Sequence, residues 1–251
     1  VEKNILTLSD EILLLLSSQP LSFVSIREIL ELFGYNNRKV VWSTLERLTR
    51  KGFLKKVKTQ EGTRFSITKA GEKALPEEPS FIPTPDRAWD RKWRLVLFDI
   101  PEDKRKIRNQ FTAGLKEMGF AKIQNSVYLT VHDVLGRVWE MAKSLGISGQ
   151  IKTMTVERID IPDLRAFARQ IWDLDRLNQE YQKFVSKNKN GYKGKEFSSE
   201  VLRFWLKRTK YEYLSILHND PVLPKELLPK DWMGYEARKI WQQMEGILET
   251  Y

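Results

Sequence analysis

The sequence predicts an α+β protein: an N-terminal winged helix-turn-helix, a central ferredoxin-like βαββαβ domain and a C-terminal α-helical domain. Three observations lead there. Short amphipathic helices run into a lysine-rich hairpin, strands and helices alternate in the middle of the chain, and the final third is aromatic and helix-periodic. The expected boundaries are 1–75 for the winged helix-turn-helix, 76–90 for a proline-rich linker, 91–161 for the ferredoxin-like domain and 162–251 for the helical domain.

At the N-terminus, Ile5 to Leu16 reads as a first helix, and "SIREILELF", Ser25 to Phe33, as a second with a serine cap. "GYNN", Gly34 to Asn37, is a turn. The third helix covers about Arg38 to Lys51, with Val41, Leu45 and Leu48 at core spacing, and Gly52 ends it. "FLKKVK" and "TRFSIT" are then two strands around a Gln60-Glu61-Gly62 turn. Four of the ten prolines fall in "PEEPSFIPTP", Pro76 to Pro85, where missing donors and restricted pre-proline residues disfavour both helix and central strand.

Charge is concentrated in this first domain. The chain carries a formal +10, and between Arg38 and Lys73 eleven Lys or Arg face only Glu46, Glu61 and Glu72. Such a segment is the electrostatic footprint of a polyanion partner. With Val41 inward, 100° per residue puts Lys39, Ser43, Glu46, Arg47 and Arg50 on the outer face of the third helix, and Arg38 and Trp42 on its flanks. In a helix-turn-helix this helix enters the major groove with its N-terminal residues toward base edges. Lys39, Trp42 and Ser43 are therefore candidates for base contact. Arg47 and Arg50, with Lys55, Lys56, Lys58 and Arg64 of the hairpin, suit phosphates, and Arg38 on the flank is a further DNA-binding candidate. The bland reading of the same residues is the solvated charged face of a protein-binding module, with Trp42 a half-buried flank residue.

The middle segment opens with the strand "KWRLVLFDI" and the helix "EDKRKIRNQFTAGLKEMG", whose Ile107, Phe111, Leu115 and Met118 keep core spacing. "FAKIQNSVYLTV" holds two strands parted near Gln124-Asn125, "LGRVWEMAKSLG" is a second helix and "IKTMTVERI" a last strand. The order is βαββαβ, the split-βαβ arrangement. From Asp163 onward, "DLRAFARQIWDLDRLNQEYQKFVSKN" and "EVLRFWLKRTKYEYLSILHND" read as two long helices separated by the basic loop "KNKNGYKGKE". A proline-punctuated loop, "DPVLPKELLPKDW", leads to a closing helix from Tyr235 to Tyr251.

Composition narrows the chemistry. No apolar run approaches the ~20 residues of a membrane span, Ile12 to Leu16 being the longest aliphatic cluster. No charged-then-apolar leader precedes the first helix, and the expected compartment is the cytoplasm. Zero cysteines remove disulfides and thiolate chemistry, and two distant histidines, His132 and His218, argue against a histidine-rich metal site. The expectation is no catalysis and no cofactor. The competing reading rests on Asp99 at the end of the first central strand, where a carboxylate facing its mate across a dimer would hold Mg²⁺ and orient a water for phosphodiester attack. In the structural reading of "DIPE", Asp99 is an N-cap, Pro101 lies in the first turn and Glu102 reaches back as in a capping box.

The chain resembles the PaaX family of bacterial transcriptional repressors end to end. The resemblance rests on "STLERLTRKGFL" and "FSITKAGEKAL", on "WRLVLFDIPEDKRKIR" and "LKEMGFAKIQNSVYL", and most specifically on "WDLDRLNQEYQKF" and "DPVLPKELLPKDWMGYEA". The central segment is also similar to the small CRISPR-associated adaptation nuclease, with Asp99 at the position that binds metal there. The resemblance implies a dimeric repressor that binds double-stranded operator DNA and is released by a small-molecule effector, of an acyl-CoA type in the family's named member. It implies a nuclease-like fold used as scaffold. No residue of this sequence is singled out for the effector.

Overall fold

The computed structural model describes residues 7–17, 24–33, 37–60, 62–75, 89–189 and 199–248. The start of the first helix before Thr7, most of the Gly34–Asn37 turn, Glu61, the linker prolines and most of the basic loop after Lys189 lie outside the described residues. The structure is α+β with two antiparallel sheets, and its contacts gather into two compact units. One comprises residues 1–80, 183–215 and 235–251, the other 81–182 and 216–234, so the helices after residue 162 are shared between the two.

In the first unit, α1 (Leu8–Ser17), α2 (Ile26–Phe33) and α3 (Arg38–Arg50) precede the hairpin of β2 (Leu54–Thr59) and β3 (Gly62–Ile67). A two-residue strand, β1 (Val24–Ser25), adds to β3 through Val24 opposite Phe65 and Ser25 opposite Arg64. The three-stranded order β1-β3-β2 completes the winged architecture. Asn37 caps α3 by accepting from the Val40 N–H. A short α4 (Lys69–Lys73) follows, capped by Thr68, whose hydroxyl accepts from Gly71 N at 3.1 Å and donates to Gly52 O at 2.7 Å. Gly71 is required there, because a Cβ would collide with the Phe53 carbonyl.

The core of this unit joins Ile12 to Leu16, Ile29, Val41, Leu45, Leu48, Leu54 and Phe65 with Phe204, which comes from α9 (Ser199–Leu217). The same helix supplies Arg208, whose Nε donates to Glu11 Oε1 of α1 at 2.7 Å and whose guanidinium lies 4.8 Å from the Trp205 ring. Both members of the Arg208–Glu11 pair are buried. A chain segment nearly two hundred residues away thus seals the hydrophobic face of α1, and its charge pair is held in one geometry by the packing around it. α10 (Gly234–Leu248) stacks Trp241 on Tyr213 with ring centroids 5.2 Å apart.

The second unit contains β4 (Trp93–Phe98), α5 (Arg105–Glu117), β5 (Ala121–Gln124), β6 (Val127–Thr130), α6 (Leu135–Ser144) and β7 (Ile151–Val156). The sheet order is β5-β6-β4-β7 with every pairing antiparallel, as the split-βαβ pattern requires. Val96, Phe98, Phe111, Leu115, Tyr128, Val138 and Ala142 form its core, with Phe98 edge-on to Phe111 at 5.4 Å. Arg94 on β4 is buried and gripped at both terminal nitrogens by Asp90, with further bonds to the Lys92 and Val131 carbonyls.

Two expectations are corrected here. The long helix from Asp163 is two helices, α7 (Leu164–Ile171) and α8 (Leu174–Asn188), parted at Asp173, which takes φ 50°, a left-handed conformation that Asp tolerates. Asp99 is not a helix cap. The first turn after β4 is a 3-10 turn, Glu102–Lys104, with Pro101 in the capping place, and α5 then starts at Arg105 with no side-chain cap. Proline is held extended at ψ 155°, which delays the helix past the reach of Asp99. Glu102 turns forward instead, to Arg108 at 2.8 Å and Arg105 at 3.8 Å.

Candidate nucleic-acid interface

The helical period of α3 buries Val41, Thr44, Leu45 and Leu48 and leaves Arg38, Lys39, Ser43, Arg47 and Arg50 exposed. The expected outer face is therefore the solvent face. Ser43 donates its hydroxyl to the Val40 carbonyl at 3.0 Å, which keeps its lone pairs available as acceptors. Arg47 donates a guanidinium hydrogen bond to the Ser9 hydroxyl of α1.

Trp42 is the pivot of the surface. It is 36% exposed and packs edge-on against buried Phe65 of β3, ring centroids 6.0 Å apart. Lys56 Nζ lies 4.9 Å from the Trp42 ring centroid and pairs with Glu46 of α3. This chain of contacts, Phe65 to Trp42 to Lys56 to Glu46, fixes the hairpin against α3. Trp42 thus combines a packed flank with an accessible edge, and Lys56 enters the surface already neutralised by a carboxylate.

The hairpin pleat sorts the remaining cations. Residues i and i+2 of a strand share a face, and directly paired residues of neighbouring strands share one too. Lys56 pairs with Phe65 and Val57 with Arg64. Lys56 and Lys58 therefore lie on the Phe65 side, the side that carries Trp42, while Lys55, Val57 and Arg64 lie on the other. Lys55 and Lys58 are both exposed, and of the two only Lys58 is on the Trp42 side of the hairpin, one residue from the pair Thr59–Gly62 at the turn.

Two surface residues escaped the sequence-based assignment. Val40, in the first turn of α3, is 48% exposed, an aliphatic side chain on the solvent face of the helix. Its apolar character reads as core in sequence, and only the choice between Val40 and Val41 as the inward residue separates the two. Glu46, on the outer face of α3, pairs with Lys56 and is the carboxylate of an otherwise cationic helix face.

Asp99, in the other unit, is exposed at the end of β4, with its backbone N–H bonded to Gln150 O at 2.9 Å. Among the described residues, no three His, Asp or Glu side chains gather as a metal-binding group. No helix among them is long and apolar enough to cross a membrane.

Comparison with known proteins adds to this geometry. Residues 86–168 match the family model described as the PaaX protein central Cas2-like domain, and residues 172–251 match the PaaX-like protein C-terminal domain. Together they span well over half of the chain. The chain is similar to the transcriptional repressor PaaX of Escherichia coli (strain K12), 25% identical over 228 residues, covering 86% of this chain and 70% of that protein. Among solved structures, uncharacterized protein Rv0674 from Mycobacterium tuberculosis is 18% identical and aligns with a TM-score of 0.49 over 98% of this chain and 97% of that one.

Proposed function

The chain belongs to the PaaX family of transcriptional regulators, and from that premise we propose that it is a DNA-binding transcriptional repressor. The observation that carries the reading is the solvent face of α3, where Arg38, Lys39, Ser43 and Arg50 stand exposed beside a hairpin braced by Trp42. Lys39, Val40 and Ser43 meet base edges from the N-terminal half of the helix, and Arg38, Arg47, Arg50 and Lys58 meet phosphates. Lys55 and Arg64, on the far side of the hairpin, serve the long-range field. The protein acts as a homodimer, so that two copies of α3 meet two half-sites of an operator, and a small-molecule effector releases it. Its place of work is the cytoplasm, where the DNA is.

This reading needs no catalytic step and no cofactor, and the relative's role as a repressor supports that. Binding of the purified protein to labelled fragments of its own upstream region, at two salt concentrations and with and without Mg²⁺, tests it. A salt-sensitive shift that survives competitor DNA, with both strands intact, is the expected result. Shortening of the fragment that requires Mg²⁺ and disappears in Asp99→Asn would replace it with a nuclease carried on a DNA-targeting domain.

A further inference from the structure

The ferredoxin-like unit holds a half-open cleft of about 440 Å³ between α5 and the β5–β6 hairpin, a size in the range of small-molecule sites, roughly 300 to 1,000 Å³. Its floor is Phe98 and Tyr128, rings 5.8 Å apart. One wall is α5, which presents Arg108 and Asn109 and, about a turn further on, Thr112, and the other is the hairpin, with Lys122, Asn125 and Ser126.

The donor chemistry of these walls is one-sided. Glu102 pairs with Arg108 through one guanidinium nitrogen at 2.8 Å, which leaves the rest of the fork's donors to the cleft. Among the described residues no carboxylate pairs with Lys122, which is exposed on the facing wall. Thr112 donates its hydroxyl to the Asn109 carbonyl at 3.0 Å, so its proton is already committed within the helix. What remains to the cleft is the other donors of the Arg108 guanidinium, an ammonium and two amides. A carboxylate ligand, with one charge and two oxygens, would satisfy one wall. A phosphate carries close to two charges and three acceptor oxygens, enough for the cations of both.

We propose that this cleft is a binding site for a small phosphorylated metabolite, with the phosphate held between Arg108 and Lys122 and the carrier's hydroxyls read by Asn109 and Asn125. The site is separate from the α3 surface and is independent of how that surface reads DNA.

The test is amide NMR of the full chain titrated with inorganic phosphate at constant ionic strength. Saturable shifts at Lys122, Asn125 and Ser126 are expected, and Lys122→Ala and Arg108→Gln should each raise the half-saturation concentration by about tenfold, the loss of one charge-assisted hydrogen bond. Lys39→Ala should leave it unchanged. Shifts confined to α3 and the β2–β3 hairpin, or an equal response in all three variants, would overturn the proposal. So would a Lys122→Ala variant whose DNA-binding salt slope falls by about one, since the cleft would then hold a phosphate of the DNA backbone.

Discussion

Arg94 and Lys39 carry the same charge in opposite circumstances. The Arg94 side chain is 4% exposed, and Asp90 and two carbonyls pair both of its terminal nitrogens, leaving the buried Nε without a partner among the described residues. Lys39 projects from α3 into solvent, with the first turn of the helix free of acidic residues. A buried cation that has its partners built in is part of the fold and has little left to offer a ligand. An exposed cation contributes almost nothing to stability and keeps its charge for a polyanion. The formal +10 of the chain is therefore not one quantity, and the function lies in the part that the fold leaves unpaired.

The largest effect should come from the buried side of this comparison. Arg94→Ala removes the centre of a hydrogen-bonded cluster and should destabilise the protein by about 3 kcal/mol in urea unfolding, while the fraction still folded binds DNA with an unchanged salt slope. A DNA defect without a stability loss would erase the distinction. Next comes the exposed side. Lys39→Ala with Ser43→Ala should cost up to about 2 kcal/mol on the preferred sequence and much less on random DNA, with the melting temperature unmoved.

Glu46 sharpens the boundary between the two classes, because Lys56 is half-way to being structural. Replacing Glu46 with Gln should release Lys56 and tighten non-specific binding by about threefold at low salt, a gain that fades as salt rises. The smallest effect is a pH dependence. The Arg94 hydrogen bonds hold the Asp90 carboxyl at about 2, below the ordinary 3.8. A depressed carboxylate stabilises the folded state above its unfolded pKa and loses that contribution as pH falls. Acid unfolding should therefore steepen between about pH 4 and pH 2, and Asp90→Asn should flatten that window in a pH series of melting curves.

The fold was legible wherever periodicity had room to show. α3 runs for 13 residues with its inward positions repeated, and the central strands and helices alternate at their own periods. β1 was not legible, because two residues carry no period, and it exists only because β3 offers it a partner. The break at Asp173 was hidden because the apolar spacing of Leu164 to Phe184 continues across it. The role of Phe204 and Arg208 in closing the N-terminal core depends on contacts nearly two hundred residues apart, which no local pattern reports. In the site, charge was readable and direction was not. Lys55, Lys56 and Lys58 look like one patch in sequence, and the pleat separates the first from the other two.

That separation offers the most direct test. The logarithm of the DNA association constant would be measured against the logarithm of salt concentration for wild type, Lys58→Ala and Lys55→Ala. The account predicts a steep wild-type slope, a loss of about one in Lys58→Ala and no resolvable change in Lys55→Ala. A flat wild-type slope, or a Lys58→Ala slope equal to wild type, would contradict the claim that α3 and the Trp42 side of the hairpin form the DNA-binding surface.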